Sequence, residues 1–424
     1  MDRRQRLRVV VVGQGYVGLP LAMRAVEVGH DVVGYEVDDR RVKRLLSAET
    51  YVEDVPTAVL AAALATGRYR PTADAEACAG FDVAVITVPT PLREGAPDLS
   101  YIETASATLA GHLRPGATVV LESTTYPGTT EELVAPILEG GSGLVAEVDF
   151  SLGYSPERID PGNPTWRLVN TPKVVSGVGP RSRAAVQGFY DSVVERTVAV
   201  SGCKEAELTK LLENTFRHIN IALVNELAMF AGDLGIDVWE AIDAASTKPF
   251  GFLRFTPGPG VGGHCLPIDP SYLSWRVRRA LGQPFRFVEL ANDVNDHMPD
   301  YVVRRLIVGL NRRRQAVNGS RVLLLGLAYK RNSGDDRESP ALVVAERLLS
   351  LGADVRVADP HVLEDHLDGH VRRVEATAEE VAAADAVILL TDHDAFDLEA
   401  VAAHARYVLD TRHRLAPGEG VEYL

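Results

Sequence analysis

The chain opens with short, continuous apolar runs separated by stretches the length of a helix. Leu7 to Val12 is the first, Asp31 to Glu36 the second, Phe81 to Val88 the third and Ala117 to Leu121 the fourth. Runs without polar alternation are the mark of strands buried on both faces, so this spacing predicts βαβ units and a parallel, doubly wound sheet. The pattern then changes. Glu205 to Phe230 contains no Gly or Pro, and Leu208, Leu211, Leu212, Phe216, Ile219 and Leu223 recur at helical spacing, which predicts one long helix. Residues 249 to 270 are dominated by Gly and Pro and predict a loop. Residues 284 to 313 predict helix, broken near Pro299.

A second alternation follows. Arg321 to Gly326, Asp354 to Asp359, Ala386 to Thr391 and Tyr407 to Asp410 are strand-like, with a helical segment at Ala341 to Leu351. The pattern therefore predicts an α/β protein with two doubly wound parallel-sheet domains joined by a central long-helix region. The boundaries fall at 1–200, 201–314 and 315–424. Arg312, Arg313 and Arg314 read as a solvated helix end.

Composition narrows the classes. The 424 residues are 46% hydrophobic and 24% charged, as in globular proteins. No apolar run approaches the roughly 18 residues of a membrane span. The basic start leads into Leu7 to Val12, too short for a signal-peptide core. The net charge of -14 argues against binding to nucleic acid or anionic membranes. Three cysteines, Cys78, Cys203 and Cys265, cannot build a disulfide framework, so a reducing cytoplasmic setting is expected. Six lysines stand against 38 arginines, so a lysine kept against that bias is informative.

The candidate chemistry lies at the strand ends and in the central loop. Gly13-Gln14-Gly15-Tyr16-Val17-Gly18 follows the first run and opens a helix. Glu36 stands about 20 residues on, where an acid bonds ribose hydroxyls and repels a 2′-phosphate, favouring NAD. Arg40 and Arg41 lie nearby. Thr87 to Pro91 and Glu122 to Thr130 put hydroxyls at the ends of later strands, where they serve as ligand contacts or as helix caps. Glu157, in Tyr154 to Arg158, is a candidate general base or water-orienting carboxylate; the plainer role is an ion pair with Arg158 or another charge. Lys210 and Asn214, four apart on the long helix, share a face and can both donate to an oxyanion; an exposed lysine is the alternative. Cys265 ends a glycine-rich run with Asp269 four residues on, an arrangement suited to aldehyde chemistry through a thiohemiacetal. Cys78 and Cys203 read as structural. His361, His366 and His370 lack strict metal spacing and read as a polar surface segment, so no metal is expected.

Together the motifs resemble the UDP-glucose/GDP-mannose dehydrogenase family. They are GQGYVGLP at 13–20, TVPTP at 87–91, ESTTYPGTT at 122–130, YSPER at 154–158, ELTKLLENTFRHINIALVNE at 207–226, GPGVGGHCLPIDP at 258–270 and LGLAYKRNSGDDRESPA at 325–341. The resemblance spans nearly the whole chain and implies two Rossmann-like domains, one for NAD and one for a nucleotide sugar, around a helical dimerisation region. It implies oxidation of the sugar C6 alcohol to a carboxylate with two NAD. It makes Cys265 the nucleophile that carries a thiohemiacetal and then a thioester. Lys210 and Asn214 would stabilise oxyanions, and Asp269, Thr124 and a water would handle protons, with Glu157 assisting hydrolysis. NAD would touch Gly13, Gly15, Tyr16, Val17, Gly18, Glu36, Arg41, Thr90 and Thr124. The nucleotide sugar would be held by Glu157, Arg158, Lys210, Asn214, Arg254, Gly262, Tyr329, Lys330 and Arg412. The family's loop around Arg254 often reaches a neighbouring subunit, so a homodimer is expected.

His264 before Cys265 and Pro161 after Glu157 resemble the branch acting on UDP-N-acetylhexosamines; a UDP- or TDP-glucose enzyme is the alternative. Less favoured readings are a two-electron β-hydroxyacid-type dehydrogenase, which needs no cysteine, and a non-catalytic nucleotide-sugar binder.

Overall fold

The computed structural model describes residues 6–93, 95–160, 163, 165–263, 266, 268–363 and 369–424. The chain divides into two compact units, Met1–Glu213 with Trp275–Leu281, and Asn214–Ser274 with Gly282–Leu424.

The first unit is built on β1 (Arg8–Val12), β2 (Asp31–Tyr35), β3 (Tyr69–Thr72), β4 (Val83–Ile86), β5 (Thr118–Leu121) and β6 (Ser151–Tyr154). All pair in parallel, in the order β3-β2-β1-β4-β5-β6. The unbroken apolar runs are explained by what lies on each face. Val9 and Val11 join one core with the helix Gly18–Glu27, while Val10 and Val12 join another with the helix Ser100–Ala110. The order reverses between β1 and β4, and ligands of such sheets bind at the carboxyl ends there. The strand β3 gave no apolar run because it is an edge strand carrying Arg70 and Pro71.

The second unit repeats the plan. Its strands are β7 (Arg321–Leu325), β8 (Asp354–Ala358), β9 (Arg372–Arg373), β10 (Ala386–Leu389), β11 (Val408–Asp410) and β12 (Val421–Tyr423), again all parallel, in the order β9-β8-β7-β10-β11-β12. Val322 and Leu324 face one core and Leu323 and Leu325 the other.

The long helix runs from Cys203 to Leu234, longer than the spacing predicted at both ends. Gly235, with φ of 70°, ends it, and the Ile236 N–H returns to the Ala231 carbonyl at 2.9 Å. Cys203 and Ala206 belong to the first unit's core; Ala222, Val224, Ala228 and Ala231 pack in the second. The break near Pro299 falls at His297, between Arg286–Asp296 and Met298–Arg312, with Pro299 in the first turn of the latter. The central loop ends two residues early, because Asp269 already begins the helix Asp269–Leu281. The arginine run is not wholly solvated: the Arg313 guanidinium lies 4.0 Å from the Tyr407 ring centroid, over its face. No helix among the described residues is long and apolar enough to cross a membrane.

Candidate active site

Each glycine of the first turn has its own reason. Gly13 has φ of 89° and its N–H bonds the Tyr35 carbonyl at 2.8 Å. Gly18 starts its helix so close to the sheet that a Cβ would stand 1.9 Å from the Gly13 carbonyl oxygen. A Cβ at Gly15 would meet nothing within 4 Å. Only that glycine faces open space, ahead of a helix N-terminus with no acid in its first turn, which is where a pyrophosphate fits.

Glu36 is buried beside this turn, accepting the N–H of Gln14 at 3.1 Å and that of Asp38 at 3.1 Å. Arg41 stands 3.6 Å from it, whereas Arg40 is engaged with Asp38. Tyr16 is exposed and Val17 half-buried at the mouth of the turn. Gln14 plugs the base of the loop, donating to the Val11 carbonyl at 2.9 Å and accepting from the Tyr69 hydroxyl at 2.7 Å. The residues present fit a dinucleotide.

The hydroxyl-rich strand ends divide by use. Thr87 donates to the Val12 and Gly13 carbonyls, both at 2.9 Å, and Ser123 to the Val88 carbonyl at 2.7 Å. Those two hold backbone. Thr90 is buried and Thr124 half-buried on the same loops.

Glu157 is buried, and its ion pair is with Lys173 at 3.0 Å, not with Arg158. It also accepts the N–H groups of Arg158 and Ile159, each at 2.7 Å. Arg158 itself pairs with Glu213 at 2.6 Å. Lys173 bonds Glu122 as well, and the Tyr190 hydroxyl donates to Glu122 at 2.5 Å. Burial opposes ionisation of Glu157 and is the largest single influence on it, but the Lys173 charge together with hydrogen bonds from Glu122, Lys173 and the Ile159 N–H holds the carboxyl low. Glu122 is pushed up, since its burial is offset only in part by the same lysine. Two buried carboxylates thus share one ammonium. Sequence reading missed Lys173 and Glu122, although the scarcity of lysine was a signal for the first.

Another unforeseen carboxyl is Glu207, on the long helix. It accepts from the Thr130 N–H at 2.9 Å, the Thr130 hydroxyl at 2.7 Å and the Gly128 N–H at 2.5 Å. Burial pushes it up to about 7 against those bonds.

Lys210 is buried and has no carboxylate partner among the described residues, which removes the exposed-lysine alternative. Asn214 is buried one turn further along the same helix. Its amide donates to Asp269, and its carbonyl accepts from Arg217 at 2.8 Å. The structure therefore brings two predicted residues, Asn214 and Asp269, into direct contact.

In the second unit, the glycine loop is fastened from several sides. The Gly258 N–H bonds Asn225 at 2.9 Å, which in turn donates to Asn295 at 2.9 Å. His218 reaches Asn292 at 2.7 Å. None of these four polar residues was foreseen, because each looks like an ordinary helix residue until its distant partner is known. A Cβ at Gly263 would lie 2.7 Å from the Tyr329 ring, and one at Gly262 the same distance from the Glu338 carbonyl oxygen. Gly262 is therefore a close-packing glycine. A Cβ at Gly258 would lie 3.1 Å from a guanidinium nitrogen of Arg412, whose Nε donates to the Leu390 carbonyl at 2.6 Å. Tyr329, Arg412 and the loop thus gather in one place, with Lys330 beside Tyr329 in sequence. Arg254 is engaged with Asp243 at 2.8 Å. His264, Cys265, Pro161 and His366 lie outside the described residues. Cys78 and Cys203 are buried, which pushes their thiols up to about 11 and about 12.

Three family profiles match in order along the chain. They are the NAD binding domain of the UDP-glucose/GDP-mannose dehydrogenase family at residues 7–194, its central domain at 204–297 and its UDP binding domain at 323–417. The chain is 37% identical over 391 residues to a UDP-N-acetyl-D-mannosamine dehydrogenase of Pyrococcus horikoshii, covering 92% of this chain and 90% of the relative. It is 38% identical over 394 residues to a UDP-N-acetyl-D-glucosamine 6-dehydrogenase of Pseudomonas aeruginosa, covering 92% and 91%. The solved structure of the UDP-D-ManNAc dehydrogenase from Pyrococcus horikoshii superposes with a TM-score of 0.89 at 35% identity, over 98% of each chain. With the glycine turn, the acid after the second strand and the second parallel sheet in place, this chain belongs to the UDP-glucose/GDP-mannose dehydrogenase family and is an NAD-binding nucleotide-sugar dehydrogenase.

Proposed function

We propose that the chain oxidises the C6 hydroxyl of a UDP-N-acetylhexosamine to the uronic acid in two successive oxidations at Cys265. The observation that carries this reading is the buried Lys210 followed, one helical turn on, by Asn214 bonded to Asp269. Bound NAD supplies the hydride acceptor. Loss of hydride and a proton from the alcohol gives an aldehyde. The Cys265 thiol adds across its carbonyl to form a thiohemiacetal, and a second loss of hydride and a proton gives a thioester. Water then releases the carboxylate and returns the thiol.

The Lys210 ammonium and the Asn214 amide donate to the oxygen that gains negative charge. Asp269, already tied to Asn214, and Thr124 hold water and take protons. Glu157, kept ionised by Lys173, orients the hydrolytic water without itself holding a proton. The N-acetyl preference is supported by the names of the relatives and by His264 before Cys265. The alternative is a UDP- or TDP-glucose substrate.

We further propose that the chain forms a homodimer through the long helix. Leu223, Leu227, Phe230 and Leu234 are all large, apolar and 46–72% exposed. Their spacing of four, three and four is that of a helix–helix seam.

The test is NADH formed per sugar consumed, with UDP-N-acetylglucosamine, UDP-N-acetylmannosamine, UDP-glucose, TDP-glucose and GDP-mannose. Two per sugar with a uronate product is expected; one per sugar would move the chain to the two-electron class. A Cys265→Ser variant that made carboxylate at the native rate would remove the thiol from the reaction.

A further inference from the structure

The two sheets agree in register as well as in order. Val12 of β1 aligns with Tyr35 of β2, and Leu325 of β7 with Ala358 of β8. Gly13 and Gly326 follow the respective first strands with φ of 89° and 92°, and each donates to the last carbonyl of the second strand, at 2.8 and 2.9 Å. Asp359 therefore occupies in the second unit the place of Glu36 in the first.

Their surroundings differ. Glu36 accepts two backbone N–H groups. Asp359 accepts five donors: the N–H groups of Leu327 at 2.6 Å, Ala328 at 3.0 Å, His361 at 2.8 Å and Val362 at 3.0 Å, and Nε2 of His393 at 3.0 Å. A carboxylate offers about four lone-pair sites, so Asp359 has no capacity left for a ribose. The other ring nitrogen of His393, Nδ1, accepts the Asn332 N–H at 2.9 Å. That fixes the tautomer with the proton on Nε2. Both side chains are fully buried. The pair thus grips the 327–332 segment at both ends, with Tyr329 and Lys330 between the grips.

We propose that Asp359 and His393 are positioning residues that set the 327–332 segment to receive the nucleotide of the substrate. The ribose-binding acid of a dinucleotide fold is here converted into an internal anchor. The proposal rests on the reading that the second unit binds a nucleotide sugar.

The test uses the full chain and UDP as probe, by titration calorimetry, with steady-state kinetics alongside. Losing a buried hydrogen bond of this kind should raise the UDP Kd and the nucleotide-sugar KM roughly tenfold in His393→Ala. The KM for NAD and kcat should stay within about twofold, a split that general destabilisation would not give. His393→Gln keeps a donor toward Asp359 and should fall between the two; if His393→Ala does not fold, it decides the question. Wild-type UDP affinity in either folded variant overturns the proposal, as does an equal loss for UDP and NAD. Failure of the wild-type chain to bind UDP overturns both the proposal and the reading beneath it.

Discussion

Gly15 and Gly18 are three residues apart and should fail in different ways when each is changed to Ala. At Gly18 the new Cβ would collide with the Gly13 carbonyl oxygen and stand 2.4 Å from the Thr87 hydroxyl. Overpacking of that kind costs about 1–3 kcal/mol, so Gly18→Ala should lower the melting temperature without any ligand. At Gly15 the added methyl meets no protein atom, so Gly15→Ala should melt like the wild type yet bind NAD more weakly. Melting curves and NAD titrations on both variants check this. Glu207 gives a pH prediction. Its folded value is raised from the ordinary 4.5 to about 7. A raised acid contributes stability in full below its unfolded value and loses it as pH rises through the folded one. Stability should therefore decline between about pH 4.5 and 7 by on the order of 3 kcal/mol from this group. Glu207→Gln should flatten that slope, whatever fixed cost the amide brings. At this scale the glycine turn was legible because its logic is contained in six consecutive residues. Glu157's real partner was not, because Lys173, 16 residues away, and Glu122, just past the end of β5, meet it only once the chain is folded.

Among the elements, the long helix was the easiest to read, since its stretch from Glu205 to Phe230 contains no Gly or Pro and its apolar period is regular. The sequence could not say which apolar positions would stay uncovered in one chain. The structure separates them: Ala228 and Ala231 pack inward, while Leu227, Phe230 and Leu234 remain exposed. Phe230→Glu should convert the expected dimer into a monomer in sedimentation velocity, with the helical content unchanged. A wild-type chain that sediments as a monomer would refute the seam. Interior strands were legible from their unbroken apolar runs. The edge strands β3, β9 and β12 were not, because a strand covered on one side needs no such run: β9 is simply Arg372–Arg373.

On the scale of the molecule, both sheets follow one plan, and that plan was visible as two alternations of apolar runs. What was hidden was the division of labour between them. Both carry a glycine turn and an acid after the second strand, but only the site geometry shows one acid lightly bonded and the other saturated. The predicted boundary at residue 200 also meets a fact of packing. The first turns of the long helix fill the first unit's core with Cys203 and Ala206, and Glu207 ties down the Gly128–Thr130 loop. A recombinant fragment stopped at residue 200 would carry an open hole in its core and a loop with unpaired N–H groups. It should express insolubly, whereas one extended to Glu213 should stay in solution and still bind the dinucleotide. Whoever divides this chain for expression has to cut through a helix, not through a linker.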